Sequence, residues 1–164
     1  MDVSVFNTKD KSDEGSWMPI LDFDWETPVG ADILVLGPDS REAVAIIDEE
    51  ESFNQRRIAE SFAGNKKAKA EAEGEVSVDK AIRKAVRLTL GWRNIEWEGK
   101  EFPFTPENAT KLYTKVSHIR VQVLNYYRDR STFTTPEYAN WRARFGKDSS
   151  LTPPAREEAL SEKH

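Results

Sequence analysis

Between Asn94 and Ala109 the chain reads NIEWEGKEFPFTPENA, and this stretch constrains the fold more than any other. Ile95 and Trp97 fall on one side of an extended segment, Glu96 and Glu98 on the other. Glu98-Gly99 supplies a tight turn, because glycine adopts positive φ at little cost. On the return, Phe102 and Phe104 alternate with Glu101 and Pro103. Thr105 then offers an N-cap, Pro106 suits the first helical position, and Glu107 favours the positive helix end. The pattern predicts a small β-hairpin over 94–104 that runs directly into a helix. Trp92, Ile95, Trp97, Gly99, Phe102, Phe104, Thr105 and Pro106 are read as scaffold; none belongs to a catalytic or metal-binding pattern.

The remaining pattern predicts a mostly α-helical α+β chain with about five helices. Residues 1–15 are polar and read as a flexible N-terminus, with a short strand at Val3–Phe6 as the one candidate element. Residues 16–146 read as a single domain. Its β segment, 16–37, holds strands at Trp17–Leu21 and Ile33–Leu36 around turn residues Thr27 to Gly30, and Pro19 pushes the first strand to a sheet edge. Asp39 and Glu42 read as a capping box opening a long helix over 39–63. Its apolar stripe starts at Val44 and Ile47 and resumes at Ile58 and Phe62, so only the two ends are expected to pack. Residues 64–76, NKKAKAEAEGE at their centre, read as a charged linker. The helical half, 77–146, starts with Ser77 as a cap and an apolar face of Val78, Ala81, Ile82, Ala85, Val86 and Thr89, ending at Gly91 or Trp92. After the hairpin come helices carrying Ala109, Leu112, Tyr113 and Val116, then Ile119, Val123 and Tyr126 after a cap at Ser117, then Tyr138, Trp141 and Phe145. Residues 147–164 read as a disordered tail.

A chain of 164 residues can bury a real core. Only 38% of its residues are apolar and 32% are charged, so part of the chain is expected to depend on a partner for order. The net charge of −5 argues against nucleic acid unless the basic residues cluster. The absence of cysteine excludes disulfides and thiolate chemistry. No apolar run approaches the roughly 20 residues of a membrane helix, and the N-terminus lacks a signal-type apolar segment. A soluble cytosolic protein without membrane partners is expected.

Candidate chemistry is thin. Asp48-Glu49-Glu50-Glu51 fan around a helix and cannot converge on one ion. Asp22, Asp24 and Glu26 alternate as calcium ligands do, but the loop positions that need glycine and glutamate hold Thr27 and Ile33. His118 is the only internal histidine and has no partner histidine for a metal. No phosphate loop or nucleophile elbow is present, so we expect no catalytic residues, no cofactor and no metal. The basic face Lys80, Arg83, Lys84 and Arg87 is the best argument for a nucleic-acid-binding regulator. It lacks an interleaved stacking platform and reads better as a solvated helix face. The partner-binding candidates are instead Tyr127, Phe133, Tyr138 and Trp141 with Arg120, Arg128 and Arg130, since aromatics beside arginine are common at protein interfaces.

From Gly91 to Phe133 the chain runs GWRNIEWEGKEFPFTPENATKLYTKVSHIRVQVLNYYRDRSTF. In the order of Trp92, Ile95, Gly99-Lys100, Pro103-Phe104-Thr105, Glu107-Asn108-Ala109, Leu112-Tyr113, Ile119-Arg120, Gln122-Val123, Asp129-Arg130 and Phe133 it resembles the tail assembly chaperones of tailed bacteriophages. Upstream, GADILVLGPDS from Gly30 to Ser40 is similar to the strand-to-helix junction of the same family. The resemblance implies a non-catalytic helper of tail morphogenesis. Such a helper holds the tape-measure protein soluble and recruits tail-tube subunits, works in the host cytoplasm and is absent from the mature virion. Self-association is left open. The alternatives are a structural tail or head-tail connector component and, from the basic face, a nucleic-acid-binding regulator. On this reading Tyr127→Ala or Trp141→Ala is expected to spare thermal stability while weakening partner binding.

Overall fold

Pro19 decides where the first strand can lie, because a residue without an N–H belongs at the border of a sheet. The computed structural model describes residues 1–61 and 66–146, with side chains outside 66–76. In it Ser16–Leu21 is strand β1, an edge of a three-stranded antiparallel sheet with β2 (Pro28–Val35) in the centre and β3 (Thr89–Arg93) beyond. Met18 pairs with Ile33, and Ile33 with Trp92. Met18, Ile20, Ile33 and Val35 point to one face and are buried there. Against the sheet pack α3 (Lys66–Arg87) and α5 (Ser117–Arg128), and α4 (Pro106–Lys115) packs on both helices. Ile82, Ala85, Leu88, Leu112, Tyr113, Val123 and Tyr127 complete the core. The α+β, mostly helical class is as expected.

The hairpin forms as its residues dictate. Glu96–Trp97 (β4) pairs with Lys100–Glu101 (β5), and Glu98 and Gly99 take φ of 52° and 76°, the double positive turn that suits a tight hairpin. The Trp92 indole donates to the Phe102 carbonyl at 2.6 Å and packs edge-on to Phe104. Thr105 caps α4 by accepting from the Asn108 N–H at 3.0 Å.

Several expectations are corrected. The N-terminal segment holds a 3₁₀ turn at Val3–Phe6, not a strand, and a helix α1 at Lys9–Glu14. Its polar sequence hides an anchor: Ser12 is fully buried, and its carbonyl accepts from the Gly37 N–H at 2.9 Å. Helix α2 spans Arg41–Ser61, and its cap is Ser40 rather than Asp39: the Ser40 hydroxyl accepts from the Ala43 N–H at 3.2 Å. Ala43 and Ile46 face inward, in place of Val44 and Ile47. The far end of α2 is not packed, since Ile58 is 55% exposed. The linker over 64–76 is overturned from Lys66 on, where α3 begins; alanine, lysine and glutamate are strong helix formers. Ser77 therefore lies inside a helix, and 62–65 fall outside the described residues. Helix α3 stops at Arg87, because Thr89–Arg93 joins the sheet beside β2. Strand β2 begins at Pro28, ahead of the expected Ile33. Ser117 opens α5 without making a side-chain cap bond. Six α-helices are present among the described residues, one more than expected, and the expected tail at 147–164 lies outside them.

The single domain over 16–146 is corrected as well. One compact unit is Thr8–Phe133; the other joins Met1–Asn7 to the segment from Thr134. Within the second unit, α6 (Pro136–Trp141) is capped by Thr135, which accepts from the Tyr138 N–H at 3.3 Å. Phe6 packs on Tyr138 and Trp141 at centroid distances of 5.9 and 5.3 Å. Helix α6 thus finds an apolar partner in Phe6.

Two substitutions separate cap from core. Thr105→Ala should cost about 1 kcal/mol through the lost cap. Phe133→Ala should cost roughly 3–5 kcal/mol, because the ring is fully buried. Equilibrium urea unfolding of both variants measures the difference; equal midpoints would refute the assignment of Phe133 to the core.

Candidate functional site

The loop between β1 and β2 reads DFDWET, residues 22–27, and one carboxylate organises it. Asp24 accepts from the N–H groups of Glu26 and Thr27, both at 2.9 Å, and from the Thr27 hydroxyl at 2.5 Å. The Thr27 hydroxyl, then the Thr27 and Glu26 amides, bring its carboxyl down to about 2. The loop closes with Trp25 N–H donating to the Asp22 carbonyl and Asp22 N–H to that of Thr27. Asp24 is thus occupied in holding a turn. The price is Trp25 at φ +62°, a left-handed conformation that a bulky residue adopts only when its surroundings hold it there.

The turn lifts two aromatic side chains to the surface: Phe23 is 79% exposed and Trp25 48%. The His118 ring of α5 lies between them, at 4.6 Å from Phe23 and 4.8 Å from Trp25. Beside Trp25 opens a cleft of about 320 Å³ between β1 and α5, lined chiefly by Met18, Pro19, Leu21, Trp25 and Tyr126, with Asp129 at its margin.

Helix α5 also closes the free edge of β1. The Leu21 N–H donates to Gln122 Oε1 at 2.8 Å, and Gln122 Nε2 donates to the Leu21 carbonyl at 2.9 Å. One buried side-chain amide thereby does what a neighbouring strand would do. His118 Nε2 lies 3.0 Å from the same carbonyl, and the Tyr126 hydroxyl donates to the Trp17 carbonyl at 3.2 Å.

The residues expected to bind a partner do not converge. Tyr127 and Phe133, at 6% and 0% exposure, belong to the core, which corrects their assignment to a surface. Tyr127 lies one turn beyond Val123 on the inward stripe of α5, and the Lys84 ammonium lies 5.3 Å from its ring centroid. Tyr138 and Trp141 are half-buried in the other unit, which carries an apolar cleft of about 480 Å³ lined by Met1, Val5, Trp141 and Phe145. Arg120 is used inside the fold, donating to the Tyr113 carbonyl at the end of α4 at 2.8 Å. Arg128 is exposed, with its guanidinium 5.8 Å from the Tyr127 ring. Arg130 grips both oxygens of Asp39 at 3.1 and 3.3 Å, and the Thr8 hydroxyl donates to the same carboxylate.

The basic face of α3 is not simply solvated either. Lys84 pairs with Glu50 at 3.2 Å, Arg87 with Glu42 and Glu49 at 2.5 and 2.6 Å, and Lys80 lies over the Phe53 ring. Three of the four cations are thus taken up by α2. Among the described residues no group of three or more His, Asp or Glu could hold a metal ion, and no helix is long and apolar enough to cross a membrane. The Phe23–Trp25 tip escaped the sequence reading because its aromatics alternate with Asp22, Asp24 and Glu26, which come into question there only as calcium ligands. The signal that could have found it is the combination of Asx-turn chemistry with two large aromatics. No family model, curated protein or solved structure matches the chain.

The Asp39–Arg130 pair predicts a pH dependence. The Arg130 guanidinium, aided by Thr8, holds the Asp39 carboxyl below the ordinary carboxylate range, against the opposing effect of burial. A depressed folded value contributes stability that is present above the unfolded pKa, about 3.9, and is lost as pH falls through the folded value. Asp39→Asn should therefore lose less stability than the parent between neutral pH and pH about 3. Urea midpoints at the two pH values test this; identical losses would show that the pair contributes nothing.

Proposed function

We propose that this chain is a tail assembly chaperone of a tailed bacteriophage. On this reading it is a non-catalytic binding protein that keeps the tape-measure protein soluble in the host cytoplasm and recruits tail-tube subunits. The observation that carries the reading is how the resembling residues are used. The two motif segments, Gly37 to Ser40 and Asp129 to Phe133, lie about 90 residues apart and meet in the fold. Arg130 is paired with Asp39, and the Phe133 ring lies against Gly37. Arg120 and Gln122 of the third segment tie α5 to α4 and to β1. The resembling residues thus form one connected scaffold. Among the aromatics left outside it, the exposed Phe23 and Trp25 are of the kind a protein that covers apolar stripes needs.

Two measurements test this. The chain should co-purify with a tape-measure fragment or the tube protein at micromolar concentrations and be absent from purified virions by mass spectrometry. Stoichiometric presence in particles would replace the chaperone with a structural tail or connector component. Binding to neither protein in the pull-down would remove the assignment.

A further inference from the structure

We propose that the cleft between β1 and α5, together with the Phe23–Trp25 tip, docks the apolar face of a basic amphipathic helix. The proposal rests on the chaperone reading only for the partner's identity; the chemistry comes from the surface itself.

Charge comes first. From residue 12 to 40 the chain has no Lys or Arg but seven acids: Asp13, Glu14, Asp22, Asp24, Glu26, Asp32 and Asp39. Asp32 is paired with Arg93 and Asp39 with Arg130. At the tip, Asp22, Asp24 and Glu26 are exposed and make no ion pair among the described residues. An apolar cleft beside three such carboxylates selects a partner whose apolar side chains are flanked by Lys or Arg. The same field opposes nucleic acid, anionic lipid and a second copy presenting the same acidic tip.

Backbone chemistry then decides the partner's conformation. An extended peptide binds a sheet edge by adding a strand, which needs free N–H and C=O groups on that edge. On β1 Gln122 holds both groups of Leu21, Tyr126 holds the Trp17 carbonyl and Pro19 has no N–H, so no continuous ladder is left for an added strand. The partner must satisfy its own backbone and insert side chains only, as a helix does. The loop is already built for this, since Asp24 clamps Trp25 in its left-handed conformation and little ordering remains to oppose binding.

The test uses the full chain and three labelled peptides: an amphipathic leucine–lysine helix, the same helix with glutamate for lysine, and a scramble of the first. Fluorescence anisotropy should show binding of the first alone, weakening with salt. Trp25→Ala should weaken it at least about tenfold, Asp22→Asn with Glu26→Gln should flatten the salt dependence, and Ile58→Ala on the far end of α2 should change nothing. Melting curves establish that each variant is folded. Equal binding of the glutamate or scrambled peptide, or undiminished binding by Trp25→Ala, overturns the inference. A tape-measure fragment separates the two readings. If parent and Trp25→Ala retain it equally, the surface is wrong and the chaperone reading stands. If the parent binds the basic helix through Trp25 but no tape-measure fragment, the surface stands and the chaperone reading falls.

Discussion

The junction between β2 and α2 is the place on which the Thr8–Phe133 unit depends. Four residues, Gly37 to Ser40, are bound from three directions. The Gly37 N–H donates to the Ser12 carbonyl of α1, and Ser40 starts α2 with its hydroxyl. Arg130, just beyond α5, grips Asp39. Gly37 is required because a Cβ there would run into the Ser12 side chain and the Phe133 ring. Beside it, the Leu36 N–H donates to the Leu88 carbonyl at the end of α3. Elements from both ends of the unit are thus held at one turn, so its cohesion rests on contacts between distant residues. Such contacts cost loop-closure entropy before they contribute, and a buried network repays that cost only when each polar group has a partner. Here every buried side-chain polar atom among the described residues has one.

A second constraint follows from the open edge of a small sheet. A three-stranded sheet has two edges, and an unpaired edge invites other chains. At β1 the defence is layered: a proline within the strand, a buried glutamine that imitates a strand at Leu21, and a tyrosine hydroxyl on the Trp17 carbonyl. The sealed edge also shapes what the neighbouring surface can do. Recognition there must run through side chains, and the aromatic tip with its carboxylates is what remains to supply it.

Helix α2 is divided along its length. Its first turns bury Ala43 and Ile46, while its acids at Glu42, Glu49 and Glu50 reach across to α3. Beyond them the helix runs on with every residue from 51 to 60 exposed. Exposed ion pairs contribute little each, so the far half of α2 draws little stability from the core.

The sequence by itself determined the features that depend on near neighbours. The hairpin turn at Glu98-Gly99, the Thr105 cap, and Pro19 at a sheet edge were all legible. Each is decided within about four residues by φ preference or a missing N–H. Tertiary structure decided everything that depended on phase or on a remote partner. The α2 stripe was misread by one position, since Ala43 and Ile46 turn inward rather than Val44 and Ile47, and one residue rotates a helix face by about 100°. Ser12 looked like surface until Gly37 came to lie on it. Tyr127 and Phe133 looked like an interface because aromatic residues read alike inside and outside. The placement of α5 against the sheet buried Tyr127, the β2–α2 junction at Gly37 covered Phe133, and the Asp24 turn brought Phe23 and Trp25 out.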